Sequence, residues 1–229
     1  MKTLLLTAVA VAVVGVASPP AQAADECRGL QRCIPVAGPW VVILAANHVT
    51  TAVWQLKCPE GVVGGLDARV SDRAVAIRFP GRLGSPVNPG ITTTDRVVFT
   101  ATYAGREPKA TTFRPFIGCI PAGGRRTPAA GTAATALTPG EPITTRVKTL
   151  RVESGKLARA THGCLPGERL LRAAHAIGLY TGVMPAPAAL FAVLVVQTVV
   201  DQHILVSATR HELPPGLRVE VQVHAECAR

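Results

Sequence analysis

The chain carries one pattern twice. Its copies begin at "KCPEG" (57–61) and "GCLPGE" (163–168), each with a glycine three residues after the cysteine. Laying Cys58 on Cys164 also brings "RVVFTATYAG" over "HILVSATRHE" one position further on, with matched cores "VVFTAT" (97–102) and "ILVSAT" (204–209). Each copy then closes on a cysteine, Cys119 in the first and Cys227 in the second. A duplicated unit of about 80 residues is the economical reading. Between the copies, residues 121–142 are almost wholly Pro, Ala, Gly and Thr without apolar periodicity. Such a segment reads as a flexible linker spanning roughly 25 Å as a coil, long enough for two units to move independently.

Inside each copy the apolar pattern is short and alternates at period two. In "RVEVQVHAEC" (218–227), Val219, Val221, Val223 and Ala225 face one way, while Arg218, Glu220, Gln222, His224 and Glu226 face the other, which predicts a strand with one wet face. "TRVKTLRVES" and "DRVVFTATY" read the same way, and proline-laden connections such as 79–90 and 213–216 punctuate them. The expected fold is all-β: two tandem small β-sandwich domains of the Ig-like or Greek-key type. The expected boundaries are 39–120 and 143–229, with 24–38 as an N-terminal disulfide loop. Neither Cys bracket holds the core Trp of an immunoglobulin domain. The segment 186–200, "APAALFAVLVVQTVV", is compatible with a buried helix, an interfacial segment or a strand covered on both faces. Its β-branched C-terminal half and the prolines before it favour a central strand, and Gln197 and Asp201 speak against a membrane span.

The first 23 residues carry one Lys, an apolar stretch to Ala17 and a small-x-small ending at Ala21-Gln22-Ala23, the layout of a cleaved secretory signal peptide. The apolar stretch is too short for a transmembrane helix, so the mature chain is expected to have no transmembrane segment. Six cysteines in an exported chain read as three disulfides, for which sequence alone permits fifteen connectivities. The repeat selects one of them. Domains near 80 residues gain from a staple, and bracketing each copy pairs Cys58 with Cys119 and Cys164 with Cys227. Cys27 and Cys33 then close "CRGLQRC" on itself.

On "CPEG", "CLPGE" and the closing Cys119 and Cys227, the chain resembles uncharacterised exported proteins of high-GC bacteria that carry Cys-bracketed β-sandwich repeats. The second copy departs from the "CP-x-G" pattern by Leu165. The resemblance implies architecture and export, and carries no activity.

A formal charge of +10 comes from 19 Arg and 5 Lys against 14 acids. Arg28, Arg69, Arg82, Arg106, Arg151 and Arg210 are dispersed, so composition explains most of this charge. What field remains makes an anionic envelope polymer the first candidate partner, with another extracellular protein second. Aromatics at 4% argue against base stacking and hence against specific nucleic-acid binding.

The search for chemistry is sparse. Ser71, Ser85, Ser154 and Ser207 sit on no G-x-S-x-G elbow. Asp67 and Asp72 are spaced for opposite faces of a strand and have Arg neighbours, against a glycosidase pair. "VVGGLD" lacks the Lys-Ser/Thr of a P-loop, so Gly64-Gly65 marks a bulge or turn. His48, His162, His175, His203, His211 and His224 never pair at ligand spacing. The one metal candidate is His203 and His211 meeting across a hairpin, with Glu212 nearby. Trp40 and Trp54 read as core.

These observations predict a secreted, non-enzymatic binding or structural module without a cofactor, at or outside the cell envelope. Its ligand surface is expected on the loops 79–95 or 181–189. The alternatives are a secreted hydrolase using Asp67, His203, His211 or Glu212, and a secreted enzyme inhibitor presenting the 27–33 disulfide loop.

Overall fold

The computed structural model describes residues 25–28, 30, 32–44, 50–79, 95–121, 143–211 and 216–229. Residues 1–23, expected to be a signal peptide, residues 122–142 of the expected linker, residues 80–94, and His48, Ser85 and Glu212 lie outside the described residues.

The described chain is nearly all antiparallel β-structure. Strands β1 (Ile34–Ala37) and β2 (Trp40–Ile43) are two halves of one strand interrupted at Gly38-Pro39. Both pair with the same side of β7 (Thr111–Ile120), and β4 (Val62–Val70) takes its other side. The second copy repeats this arrangement, with β13 (Arg218–Ala228) between β10 (Arg169–Tyr180) and β8 (Thr144–Val152). Each copy adds a three-stranded sheet. In the first, β6 (Arg96–Tyr103) lies between β3 (Thr50–Lys57) and β5 (Val75–Arg78). In the second, β12 (His203–Arg210) lies between β9 (Ala158–Gly163) and β11 (Val193–Val200). The matched "VVFTAT" and "ILVSAT" segments are thus the middle strands of corresponding sheets.

The copies are fused, however. β2 pairs with β10 through Val41↔Gly178 and Trp40↔Leu179, so one sheet runs β4-β7-β1/β2-β10-β13-β8. Every neighbouring pair is antiparallel, so β10 points opposite to its counterpart β4. The second copy is therefore the first turned by half a turn about the hydrogen-bonding direction. Its small sheet accordingly falls on the opposite face, giving two hydrophobic cores on opposite sides of one central sheet. β2 serves both: Val41 and Ile43 enter one core, Trp40 and Val42 the other. From β10, Ala176 enters the first core while Ile177 and Leu179 enter the second. The expectation of two units moving independently across a linker differs from this pairing, because a period-two pattern reports which residues share a face and says nothing about which strand lies alongside.

All three disulfides join the expected pairs, Cys27–Cys33, Cys58–Cys119 and Cys164–Cys227. The glycines that follow the opening cysteines, Gly61 and Gly167, have φ of +81° and +83°. The Cys-x-x-Gly signature thus reports a left-handed turn that only glycine adopts without steric cost. Gly65 sits at a register shift between Val63 and Gly65, the bulge read from sequence. A Cβ on Gly65 or on Gly118 would collide with the Glu26 carbonyl, and one on Gly118 also with Cys33 Sγ, so these two positions let Glu26 and the Cys27–Cys33 disulfide approach the first copy's sheet closely.

The segment 186–200 divides. Pro187–Leu190 is a single helical turn, α1, and Val193–Val200 is a strand, as expected. That strand is at an edge rather than central, and Leu194, Val196, Val199 and Val200 are half or more exposed. A short apolar run has the composition of a doubly covered strand whether or not a second layer is there to cover it.

Candidate ligand-binding cleft

β13 builds the site. Its alternation is as read: Val219, Val221, Val223, Ala225 and Cys227 fill the second core. Of the polar face, expected to be wet, Arg218 stays exposed while Gln222 and His224 are covered, because the β3-β6-β5 sheet lies over that part of it. Gln222 is 7% and His224 3% exposed. Gln222 reaches the free edge of β3, where its Oε1 accepts from the Gln55 N–H at 2.8 Å and its Nε2 donates to the Gln55 carbonyl at 2.9 Å. A side-chain amide thereby continues the ladder where no strand does, and satisfies two backbone groups at the seam between copies.

Beyond that seam lies a cleft of about 310 Å³. One wall is a cross-strand row from the first copy, Val53, Thr100 and Arg78, with Val98 beside it. The other wall is two rows from the second copy, Arg172–Glu226–Thr145 and Ala174–His224. Its apolar surface comes from Val53, Val98 and Ala174, and its charge from two guanidiniums and one carboxylate. Arg172 Nη1 and Glu226 Oε1 stand 4.0 Å apart with both side chains over a third exposed, so that pair is weak.

His224 is the unusual member. Neither ring nitrogen has a hydrogen-bond partner of good geometry. Burial lowers its pKa to about 4, assisted by nearby His162 and opposed by the Val53 backbone, so the ring is neutral at ordinary pH. A neutral imidazole offers one donor and one acceptor, and a buried polar group left unmatched is costly. The cleft therefore presents guanidiniums suited to a carboxylate or phosphate, an unmatched imidazole, and an apolar patch. Thr100 and Thr145 contribute the hydroxyls here, and neither is hydrogen-bonded to His224.

The other candidates do not converge. His203 opens β12 and His211 follows its last residue, which puts them roughly 26 Å apart along one extended strand. They do not meet across a hairpin: the hairpin partner of His203 is Val200, and its Nδ1 lies 2.8 Å from the Asp201 carbonyl oxygen. Asp67 lies on β4, where its carboxylate accepts from the Ala68 N–H. Asp72 caps Ala74 and pairs with Lys109, whose contact holds its pKa below the usual range. His175 Nδ1 contacts Gln197 Oε1 at 2.8 Å. Cys164, Glu168 and Cys227 lie close enough to suggest metal ligands, but both sulfurs are in one disulfide. Glu168 is engaged by Arg146 and the Leu165 N–H, which lower its pKa to about 2. Trp40 and Trp54 are core, at 7% and 0% exposed. The segment 181–189 contributes no residue to the cleft.

Sequence reasoning placed His224 on the polar face of its strand but missed the cleft, since Arg78, Arg172 and His224 share no spacing in the chain. Compared with family models, curated proteins and solved structures, the chain matches none of them. Among the described residues no helix is long and apolar enough to cross a membrane.

Proposed function

We propose that this chain is an exported, non-enzymatic binding protein, built as two duplicated β-sandwich units, that takes an acidic group of an envelope polymer into the cleft between its copies. The observation that carries the reading is His224, buried yet unmatched, facing a cavity that also holds Arg78 and Arg172. Export is supported by the signal-like leader and by three disulfides, which persist in oxidising compartments. The volume lies at the lower end of small-ligand pockets, room for one substituent with the rest of the polymer outside. Association resting on two guanidiniums weakens as salt rises.

The test is co-sedimentation of the disulfide-bonded protein with isolated cell envelopes across a salt series, beside the Arg78→Gln/Arg172→Gln double variant. The wild type is expected to pellet at low salt and to be released as salt rises, and the double variant to stay in the supernatant. Equal pelleting of both proteins would remove the cleft from the account. A wild type that stays soluble at every salt would remove the envelope.

A further inference from the structure

An exposed sheet edge is a template for another strand, and folded proteins blunt such edges with charge, proline, bulges or brevity. Among the described residues, the edges of the outer strands follow that rule with one exception. β4 carries Asp67, Arg69 and a bulge; β8 carries Arg146, Lys148 and Arg151; β9 carries Arg159. β5 is four residues long and ends in Arg78, and the β3 edge is met by Gln222. β11, "VLVVQTVV", is eight residues long with no charge, no Gly and no Pro, and among the described residues nothing pairs with its outer edge. Along β11 the solvent face is apolar except at Thr198: Leu194 is 60%, Val196 52% and Val200 50% exposed, with Leu205 at 41% beside them on β12 and Phe191 at 66% just before the strand. Ser207 and Arg159 bring polar groups in from β12 and β9.

We propose that β11 is a self-association edge, at which two copies of this chain pair their β11 strands antiparallel across a two-fold axis near Val196 and Gln197. Two three-stranded sheets would thereby become one of six strands. The occupant is a second copy because the strand is complementary to itself. With no charge along its length, antiparallel self-pairing sets no like charges opposite each other. The same pairing brings Asp201, exposed at one end of the strand, opposite Ala192 of the second copy, whose carbonyl accepts from the N–H of the exposed His211; Arg210 there is already held by the Leu217 carbonyl. A two-fold interface also consumes the edge and closes, where a head-to-tail one would propagate. The small sheet bearing β11 lies across the central sheet from the one that walls the cleft, so self-association leaves the cleft open and is independent of its ligand.

Sedimentation velocity of the disulfide-bonded chain from about 1 to about 100 µM tests this, since one strand pair with its flanking apolar face supports affinity on the order of micromolar. The mass is expected to double across that range, with amide protection at 193–200 rising in step. Val196→Lys, which sets two lysines near the axis, is expected to weaken the dimer at least tenfold. Thr198→Lys, on the same solvent face, does likewise should Val196→Lys fail to fold. Val183→Lys, at a residue 74% exposed and off this edge, leaves the dimer intact. A monomer throughout, species larger than a dimer, or a dimer indifferent to both edge substitutions would overturn the proposal.

Discussion

A histidine left only 3% exposed has to give up its charge, and burial in the wall of the cleft does this to His224. Its folded pKa of about 4 lies below the ordinary value of 6.5, so between those values the unfolded chain binds the extra proton. Stability from this group is complete above pH 6.5 and is lost as pH falls through 4, on the order of 3 kcal/mol. Denaturant midpoints measured from pH 7 to 4 are expected to fall steeply for the wild type and to flatten in His224→Leu; equal slopes would show that other groups govern acid stability. The neighbouring seam is tight for a similar reason. A Cβ on Gly178 would sit 2.5 Å from the Trp54 ring and 2.6 Å from Pro39, so the small sheet rests directly on backbone there. The alternation along 218–227 gave the parity of His224. Its burial was not legible, because it depends on β3 and β6, more than a hundred residues earlier in the chain.

At the scale of elements, strands with a matched partner in the other copy were the readable ones. β6, β7, β12 and β13 could be placed because a repeat supplies two samples of one pattern, and the bracketing cysteines tied β7 and β13 to the loops that open each copy. β11 was misplaced within its sheet because its counterpart β5 has only four residues and offers little to compare. The staples differ in reach. Cys58–Cys119 and Cys164–Cys227 close loops of 61 and 63 residues, and Cys27–Cys33 one of 6. In the chain-entropy model the long loops are worth about 4 kcal/mol each and the short one about 2. Replacing either long pair by alanines should lower the guanidinium-extrapolated stability by roughly twice the loss for Cys27/Cys33, and equal losses would point to contacts of the 27–33 loop rather than to closure.

The molecule as a whole has two cores but shared walls. A fragment of 143–229 would lack Trp40 and Val42, which help fill its core, and one ending at 121 would lack Ala176 and Gly178 beneath Trp54. Thermal unfolding monitored at both tryptophans is therefore expected to show one transition, with the separate halves binding a hydrophobic dye. Two resolved transitions in the intact chain would mean that the seam is weaker than the cores. Gln222→Leu should act at that seam, since it strands the Gln55 N–H and carbonyl at about 1–3 kcal/mol for each group.

The half-turn between copies also bears on how the duplication can have drifted. β2 and β8 occupy equivalent places, yet β2 is buried on both faces while β8 closes the sheet with one side open. The first can carry no charge on either face; the second carries Arg146, Lys148 and Arg151. With the copies sharing one sheet, the place of β2 admits only apolar side chains and that of β8 admits charge, so the repeat is unequal at this position while its cysteines stay matched.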